Sequence, residues 1–214
     1  MIIKPRGGLC NRLRVIFSYY EYAISINKPL IVLWIKSSDC NGYFLDYFEP
    51  IPNVTFLTTM TNDIYYEGCS KHPTFLPNYT CLKLSHFMKE LILSKKQIID
   101  EYISVHVRRT DHTDLAIKKN KYTKDADFFS FLDKYEKNIY IATDNEETYT
   151  MFKQKYNNQI KLDYHKNNTN SLRHTSLQDA IIDIYMCVLS EHFMGSGHSS
   201  FSDLIKELRN MPLK

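Results

Sequence analysis

The spacing of apolar positions changes period along the chain, and the changes mark its elements. Ile103, Val105 and Val107 alternate with Ser104, His106 and Arg108. A period of two with β-branched residues predicts a short buried strand. Leu13, Ile16, Phe17, Tyr20 and Ile24 recur every three or four positions. That spacing predicts one face of a helix over about 11–26. Asn27-Lys-Pro29 ends it, since proline cannot continue a helix. Before this helix, Ile2-Ile3 reads as a strand and Pro5 to Gly8 as a tight loop. After it, Leu30 to Trp34 is an unbroken apolar run, the mark of a buried strand. Strand, glycine turn, helix and strand form a βαβ unit, which predicts a parallel sheet.

Residues 37–79 carry Gly42, Pro50, Pro52, Pro73 and Pro77, and predict loops around one strand at Val54–Leu57. Leu82 to Ile99 predicts a helix with Leu84, Phe87, Met88, Leu91 and Ile92 inward. A domain boundary is expected near residue 100, giving domains 1–100 and 101–214. In the second domain, strands are expected at 102–107, 139–142, 160–162 and 192–194. Helices are expected at 125–135, 146–156, from Thr175 or Ser176 to 189, and from Ser199 or Ser200 to 209. Polar loops fill 112–121 and 164–173. Strict alternation of strands and helices predicts a doubly wound α/β domain.

Composition narrows the function classes. A net charge of +3, with no basic run interleaved with aromatics, argues against a nucleic-acid or anionic-membrane partner. No apolar segment approaches the ~18 residues of a membrane span, and no signal peptide precedes the first strand, so a cytoplasmic location is expected. Cys10, Cys40, Cys69, Cys81 and Cys187 are odd in number and lack CxxC spacing. This argues against a zinc site and, more weakly, against a disulfide framework. The Asn-X-Thr triplets at Asn53, Asn78 and Asn167 read as chance matches in such a compartment.

Candidate chemistry gathers at loop and strand ends. His106, Arg108, Arg109 and Asp111 leave the C-terminal end of the 102–107 strand, where open α/β sheets bind ligands. A guanidinium fork fits two phosphate oxygens, so one reading is a phosphate or diphosphate site. The other is a strand end whose arginines pair with nearby carboxylates. Alternation puts His106 and Arg108 on one face and Arg109 on the other. Arg108 is therefore the candidate ligand contact, and Arg109 the structural one. Arg6-Gly-Gly-Leu-Cys-Asn-Arg12 places glycines before a helix start, where backbone N–H groups can approach an anion. Gly195-Ser-Gly-His-Ser-Ser200 has the same character, and an ordinary N-cap by Ser199 or Ser200 can hold at the same time. Asp183 lies beside Ser176 and Asp179, off the apolar stripe of Leu177, Ala180, Ile181, Ile184, Tyr185 and Val188. It is either a solvated carboxylate or a reader of guanine, whose two adjacent donors one carboxylate can accept together. His112 and Asp114 are candidate general bases. Thr143-Asp144-Asn145 is not a DxD pair, and no metal site is expected.

His106-Val-Arg-Arg-Thr-Asp111, Tyr140-Ile-Ala-Thr-Asp144, Ser176-Leu-x-x-x-Ile-x-Asp183-Ile and His198-Ser-Ser200 resemble, in order and spacing, motifs of the α1,6-fucosyltransferase and NodZ-type family. Gly7-Gly-Leu-Cys-Asn-Arg-Leu13 resembles the glycine loop of the wider GDP-fucose transferase superfamily, and brings in Gly8 and Asn11. The resemblance implies a GT-B-like architecture, two Rossmann-like parallel-sheet halves facing a cleft. It implies an N-terminal acceptor-side domain and a C-terminal GDP-sugar-binding domain. It also implies metal-independent, inverting transfer of fucose from GDP-fucose to a glycan hydroxyl, without a cofactor. Arg108 then corresponds to the diphosphate arginine, and His106 and Asp183 to guanosine contacts. Ser199 or Ser200 corresponds to a phosphate contact, with Asp144 also on the donor side. The core fucosyltransferases carry Lys after the HxRRTD run and a Glu soon after it. This chain has His112 and Ala116 in those places, with Asp114 nearby, so the acceptor is open. The alternatives are a non-catalytic GDP-sugar-binding module and a transferase using another donor, such as GDP-mannose or GDP-rhamnose.

Overall fold

The computed structural model describes residues 1–60, 63–109, 113–164 and 175–211. By compactness the chain divides into Met1–Lys89 and Glu90–Lys214.

The N-terminal unit holds β1 (Ile2–Pro5), α1 (Leu9–Ser25), β2 (Leu30–Leu33), β3 (Val54–Leu57) and β4 (Tyr66–Gly68). The strands form one parallel sheet in the order β3-β2-β1-β4, with Ile3 opposite Val32 and Leu33 opposite Leu57. Leu13, Ile16, Phe17 and Tyr20 of α1 are buried, as their spacing predicts, but Ile24 is 53% exposed. The helix closes in a Schellman turn. Asn27 takes φ 51°, and the N–H groups of Lys28 and Asn27 donate to Ala23 O and Ile24 O at 2.9 and 3.0 Å. Strand β4 escapes the apolar pattern because it is an edge held by charge. Its Glu67 accepts Lys4 at 2.7 Å and Arg6 at 2.6 Å. The irregular stretch beyond β2 is anchored by rings: Phe44 stacks on Phe56 at 4.2 Å and on Phe48 at 4.9 Å, with Trp34 edge-on at 5.6 Å.

Helix α2 runs His86–Ile99, four residues shorter than expected. Glu49 N–H donates to Lys83 O, and Ser85 N–H to Tyr47 O, at 2.9 Å each. Residues 83–85 thus commit backbone groups to a bridge and cannot start the helix. Met88, Ile92 and Ile99 are its buried stripe, whereas Phe87 is 59% exposed.

The C-terminal unit holds β5 (Tyr102–Val107), α3 (Thr113–Lys118), α4 (Asp125–Leu132), β6 (Asn138–Thr143), α5 (Glu146–Lys155), α6 (Leu177–Leu189), β7 (Phe193–Gly195) and α7 (Ser200–Arg209). Its sheet is parallel, in the order β6-β5-β7. All six residues of the central β5 are buried. Ile103, Val105 and Val107 form one core with Phe128 and Leu132 of α4 and Tyr149 and Phe152 of α5. The opposite face of β5 meets α6 and α7 through polar groups. Tyr102 Oη donates to Met186 O at 2.7 Å. Ser104 Oγ and Ser190 Oγ are 2.7 Å apart, and His106 Nδ1 and Ser202 Oγ 2.8 Å apart. Arg209 of α7 closes this layer by donating to Cys187 O, Val188 O and Ser190 O at the end of α6.

The expected strand at 160–162 does not form. The chain passes the free edge of β6, and Ile139 N–H donates to Gln159 O at 2.9 Å. Side chains then take the carbonyls a ladder would use: Lys153 Nζ binds Ile160 O at 2.7 Å, and Tyr149 Oη binds Leu162 O at 2.8 Å. The expected loop at 112–121 instead contains α3.

Candidate functional site

Three parallel strands of the C-terminal unit end side by side, and the candidate residues follow from what each strand end does. After β5 and β7 the ladder continues for one more step. Ser196 N–H donates to His106 O at 2.8 Å, and Arg108 N–H donates to Ser196 Oγ at 2.9 Å. The backbone of Arg108 is fixed by this pair, and its side chain is half-buried. Arg109 is committed to the protein. Its Nη2 meets Asp125 Oδ1 at 2.5 Å and Thr123 O at 3.1 Å, and its Nη1 meets Arg108 O at 3.1 Å. Its guanidinium also lies 5.0 Å from the Tyr122 ring centre and 5.7 Å from that of Phe128. Its carboxylate partner is Asp125. Asp111 and the candidate base His112 lie outside the described residues. Asp144, at the end of β6, accepts Arg109 N–H at 3.4 Å.

His106 is 6% exposed, stacks on Phe201 at 4.4 Å and shares its Nδ1 hydrogen bond with Ser202. It ties β5 to the first turn of α7. Ser199 is the N-cap of that helix and accepts from Ser202 N–H, while Ser200 is its first residue. The glycines before them allow close packing. A Cβ at Gly195 would lie 2.5 Å from Ser202 Oγ, and one at Gly197 2.0 Å from Lys121 O. Asp114 is exposed in the first turn of α3.

Asp183 is not a solvated carboxylate; it is 4% exposed, and its Oδ1 accepts the Tyr140 hydroxyl at 2.7 Å. Burial, and then this carboxylate, raise the Tyr140 phenol well above its usual range, so it stays a neutral donor. Asp179 is buried too, and forms a capping box with Ser176. Tyr164 is pushed up to about 12, first by burial and then by Asp183, Asp144, Glu146 and Asp179. Tyr164 and Asp179 lie at the corner between β6 and the first half of α6. Tyr140, Tyr164, Asp179 and Ile182 line a pocket there with Ile141 and Tyr149. The tyrosines and Ser202 were missed as site residues. For Ser202, the available signal was its place three residues after the cap, on the side of α7 that returns to the sheet.

In the N-terminal unit, Gly8 is the N-cap of α1, and Gly7 takes φ 79° with Asn11 Nδ2 3.1 Å from where its Cβ would stand. Arg12 of the same motif, also missed, is 2% exposed and rigidifies the loop. It donates to Gly7 O at 2.8 Å, Ile35 O at 2.7 Å and Ser37 Oγ at 3.0 Å. Burial lowers its pKa, partly offset by Cys40 and Asp39. Among the described residues, no three His, Cys, Asp or Glu side chains are grouped to hold a metal ion, and no helix is long and apolar enough to cross a membrane.

The fold has close counterparts among solved structures. NodZ α1,6-fucosyltransferase soaked with GDP-fucose superposes with a TM-score of 0.64 at 15% identity, over 97% of this chain and 91% of that one. The same enzyme co-crystallised with GDP gives 0.65 at 15% identity, over 96% and 90%. NodZ from Bradyrhizobium gives 0.64 at 15% identity, over 96% and 91%. The fold is thus a GT-B-like α/β arrangement built on parallel sheets. Residues 33–212 match the GDP-fucose protein O-fucosyltransferase family, and the chain belongs to that family. No curated protein sequence matches it.

Proposed function

We propose that the chain transfers fucose from GDP-fucose to a glycan hydroxyl, with inversion and without a metal ion. The observation that carries this reading is the division of labour between neighbouring arginines. Arg109 is consumed by Asp125 and backbone carbonyls, while Arg108 shares the parity of His106 and is positioned through its backbone by Ser196. In the proposed mechanism Arg108 faces the diphosphate. As the bond from the fucosyl carbon to the diphosphate breaks, negative charge grows on the leaving oxygen. A fixed guanidinium there stabilises the transition state more than the ground state. Ser200, half-buried where Ser199 is fully covered, and the N–H groups at the start of α7 supply further donors to phosphate. Asp183, with one oxygen oriented by Tyr140, accepts from the guanine edge, and His106 and Asp144 shape the surrounding wall. Gly8 and Asn11 belong to the N-terminal, acceptor-side unit, in the glycine loop that opens α1. His112 or Asp114 takes the proton of the attacking hydroxyl. Five cysteines without CxxC spacing suit a cytoplasmic setting.

The test is titration of GDP, UDP and ADP without added metal, followed by turnover of GDP-fucose. Arg108→Ala is expected to lower turnover by about 100-fold or more. Unchanged GDP affinity and turnover in that variant would end the proposal. Asp183→Asn is expected to erase the preference for GDP over UDP.

A further inference from the structure

We infer that the turn Lys118–Lys124 recognises an anionic oligosaccharide acceptor, one carrying carboxylate or sulfate groups near the hydroxyl that receives the sugar. The inference rests on the transferase reading and adds the acceptor's chemistry. Lys118, Lys119, Lys121 and Lys124 fall within seven residues and are all exposed. Among the described residues none of them is in an ion pair. The nearest acids on the following helix have other work. Asp125 holds Arg109, and Asp127 accepts the backbone N–H of Lys124 at 2.8 Å. Asp114 is on the opposite, N-terminal turn of α3.

Helix electrostatics do not explain the cluster. Lys118 and Lys119 suit the C-terminal end of α3, but Lys124 is the N-cap of α4 and Lys121 precedes it. A cation at a helix N-terminus is disfavoured by the helix dipole. The turn is also clamped in place. Arg109 donates to Thr123 O at 3.1 Å, Gly197 N–H donates to Thr123 Oγ1 at 2.9 Å, and Gly197 rests against Lys121 O. The backbone of the turn is therefore held beside the ends of β5 and β7, next to the proposed donor contacts. A set of cations on a turn held in this way selects for charge and orients an acceptor more than it adds raw affinity.

The experiment titrates the full chain, saturated with GDP, with two anionic probes: an oligogalacturonate hexamer and a heparin-derived hexasaccharide. Uncharged chitohexaose and hexaglutamate are the controls. Wild type is compared with the combined Lys118→Gln, Lys119→Gln, Lys121→Gln, Lys124→Gln variant, and with a variant carrying Arg at all four positions. Binding of at least one anionic saccharide is expected, weakened about tenfold or more by Gln, restored by Arg and reduced by salt, which screens exposed charges beyond ~8–10 Å. GDP affinity is expected to be equal in all three proteins. Equal saccharide binding by wild type and the Gln variant, no binding of either anionic probe, or equally tight binding of hexaglutamate would overturn the inference while leaving the transferase reading intact. Failure of the wild type to bind GDP would instead strike that reading itself, and this one with it.

Discussion

The two faces of β5 are built on different principles. One presents Ile103, Val105 and Val107 to Phe128, Leu132, Tyr149 and Phe152, and contains no polar side chain from the strand. The other presents Tyr102, Ser104 and His106, each held to α6 or α7 by a hydrogen bond of 2.7 or 2.8 Å. Apolar burial is strong but undirected, at roughly 25 cal/mol per Å². Hydrogen bonds contribute only about 1 kcal/mol each, yet they fix register and rotation. The difference teaches where the fold needs precision. The α4–α5 layer supplies stability. The α6–α7 layer sets the position of Ser199, Ser200 and Asp183 relative to the end of β5, and is pinned at each successive inward position of the strand.

Mutations on the two faces should therefore separate stability from donor binding. The largest stability effect is expected for Phe152→Ala, which empties a fully buried site and should cost about 3–5 kcal/mol in urea unfolding. GDP affinity of the fraction that remains folded should stay within about twofold of wild type, as expected for a substitution remote from the ligand contacts. On the polar face, Ser202→Ala removes the partner of His106 Nδ1 and should cost about 1–2 kcal/mol. Here GDP affinity should fall by more than it does for Phe152→Ala, because α7 loses its tie to the strand. Equal losses of GDP affinity for the two variants would dissolve the distinction between the faces.

The sequence revealed the apolar face more fully than the polar one. Period-two β-branched residues located β5 to the residue, and helical spacing found α1, α5, α6 and α7 to within about two residues, since these signals arise from local burial. Contacts distant in sequence left no such trace. The bridge of residues 47–49 to 83–85 shortened α2, side chains capped the would-be strand at 160–162, and β4 is held by Glu67. At the candidate site, strand parity set Arg109 apart as the arginine that packs against the protein. It did not identify the partner of Arg109, because Asp125 lies 16 residues away. Asp183 was placed on a polar side because α6 was read as a half-buried helix, whereas all but a few of its residues are covered. In a helix packed nearly all round, a carboxylate needs a donor, and Tyr140 on the adjacent strand provides it.

The smallest effect concerns the rim of the apolar face, where the comparison becomes a matter of pH. Asp133, at the end of α4, accepts Tyr156 Oη at 2.7 Å and Lys155 Nζ at 3.0 Å from the end of α5. The Tyr156 hydroxyl, and then Lys155, hold its carboxyl below the ordinary aspartate value of 3.8. A group whose pKa is depressed in the folded state adds stability above its unfolded pKa, and that stability is lost as pH falls through the folded value. Unfolding midpoints measured from pH 6 downward should therefore show part of their decline below about pH 4 arising from Asp133. Asp133→Asn should lower stability slightly at neutral pH, where the charge-assisted bonds are intact, and converge on wild type in acid. The cluster is open to solvent, so salt should narrow the difference as well. A constant gap between the two proteins across the whole range would mean that the hydrogen bond from Tyr156 matters regardless of charge. The junction of α4 and α5 would then be held by geometry, as the polar face of β5 is.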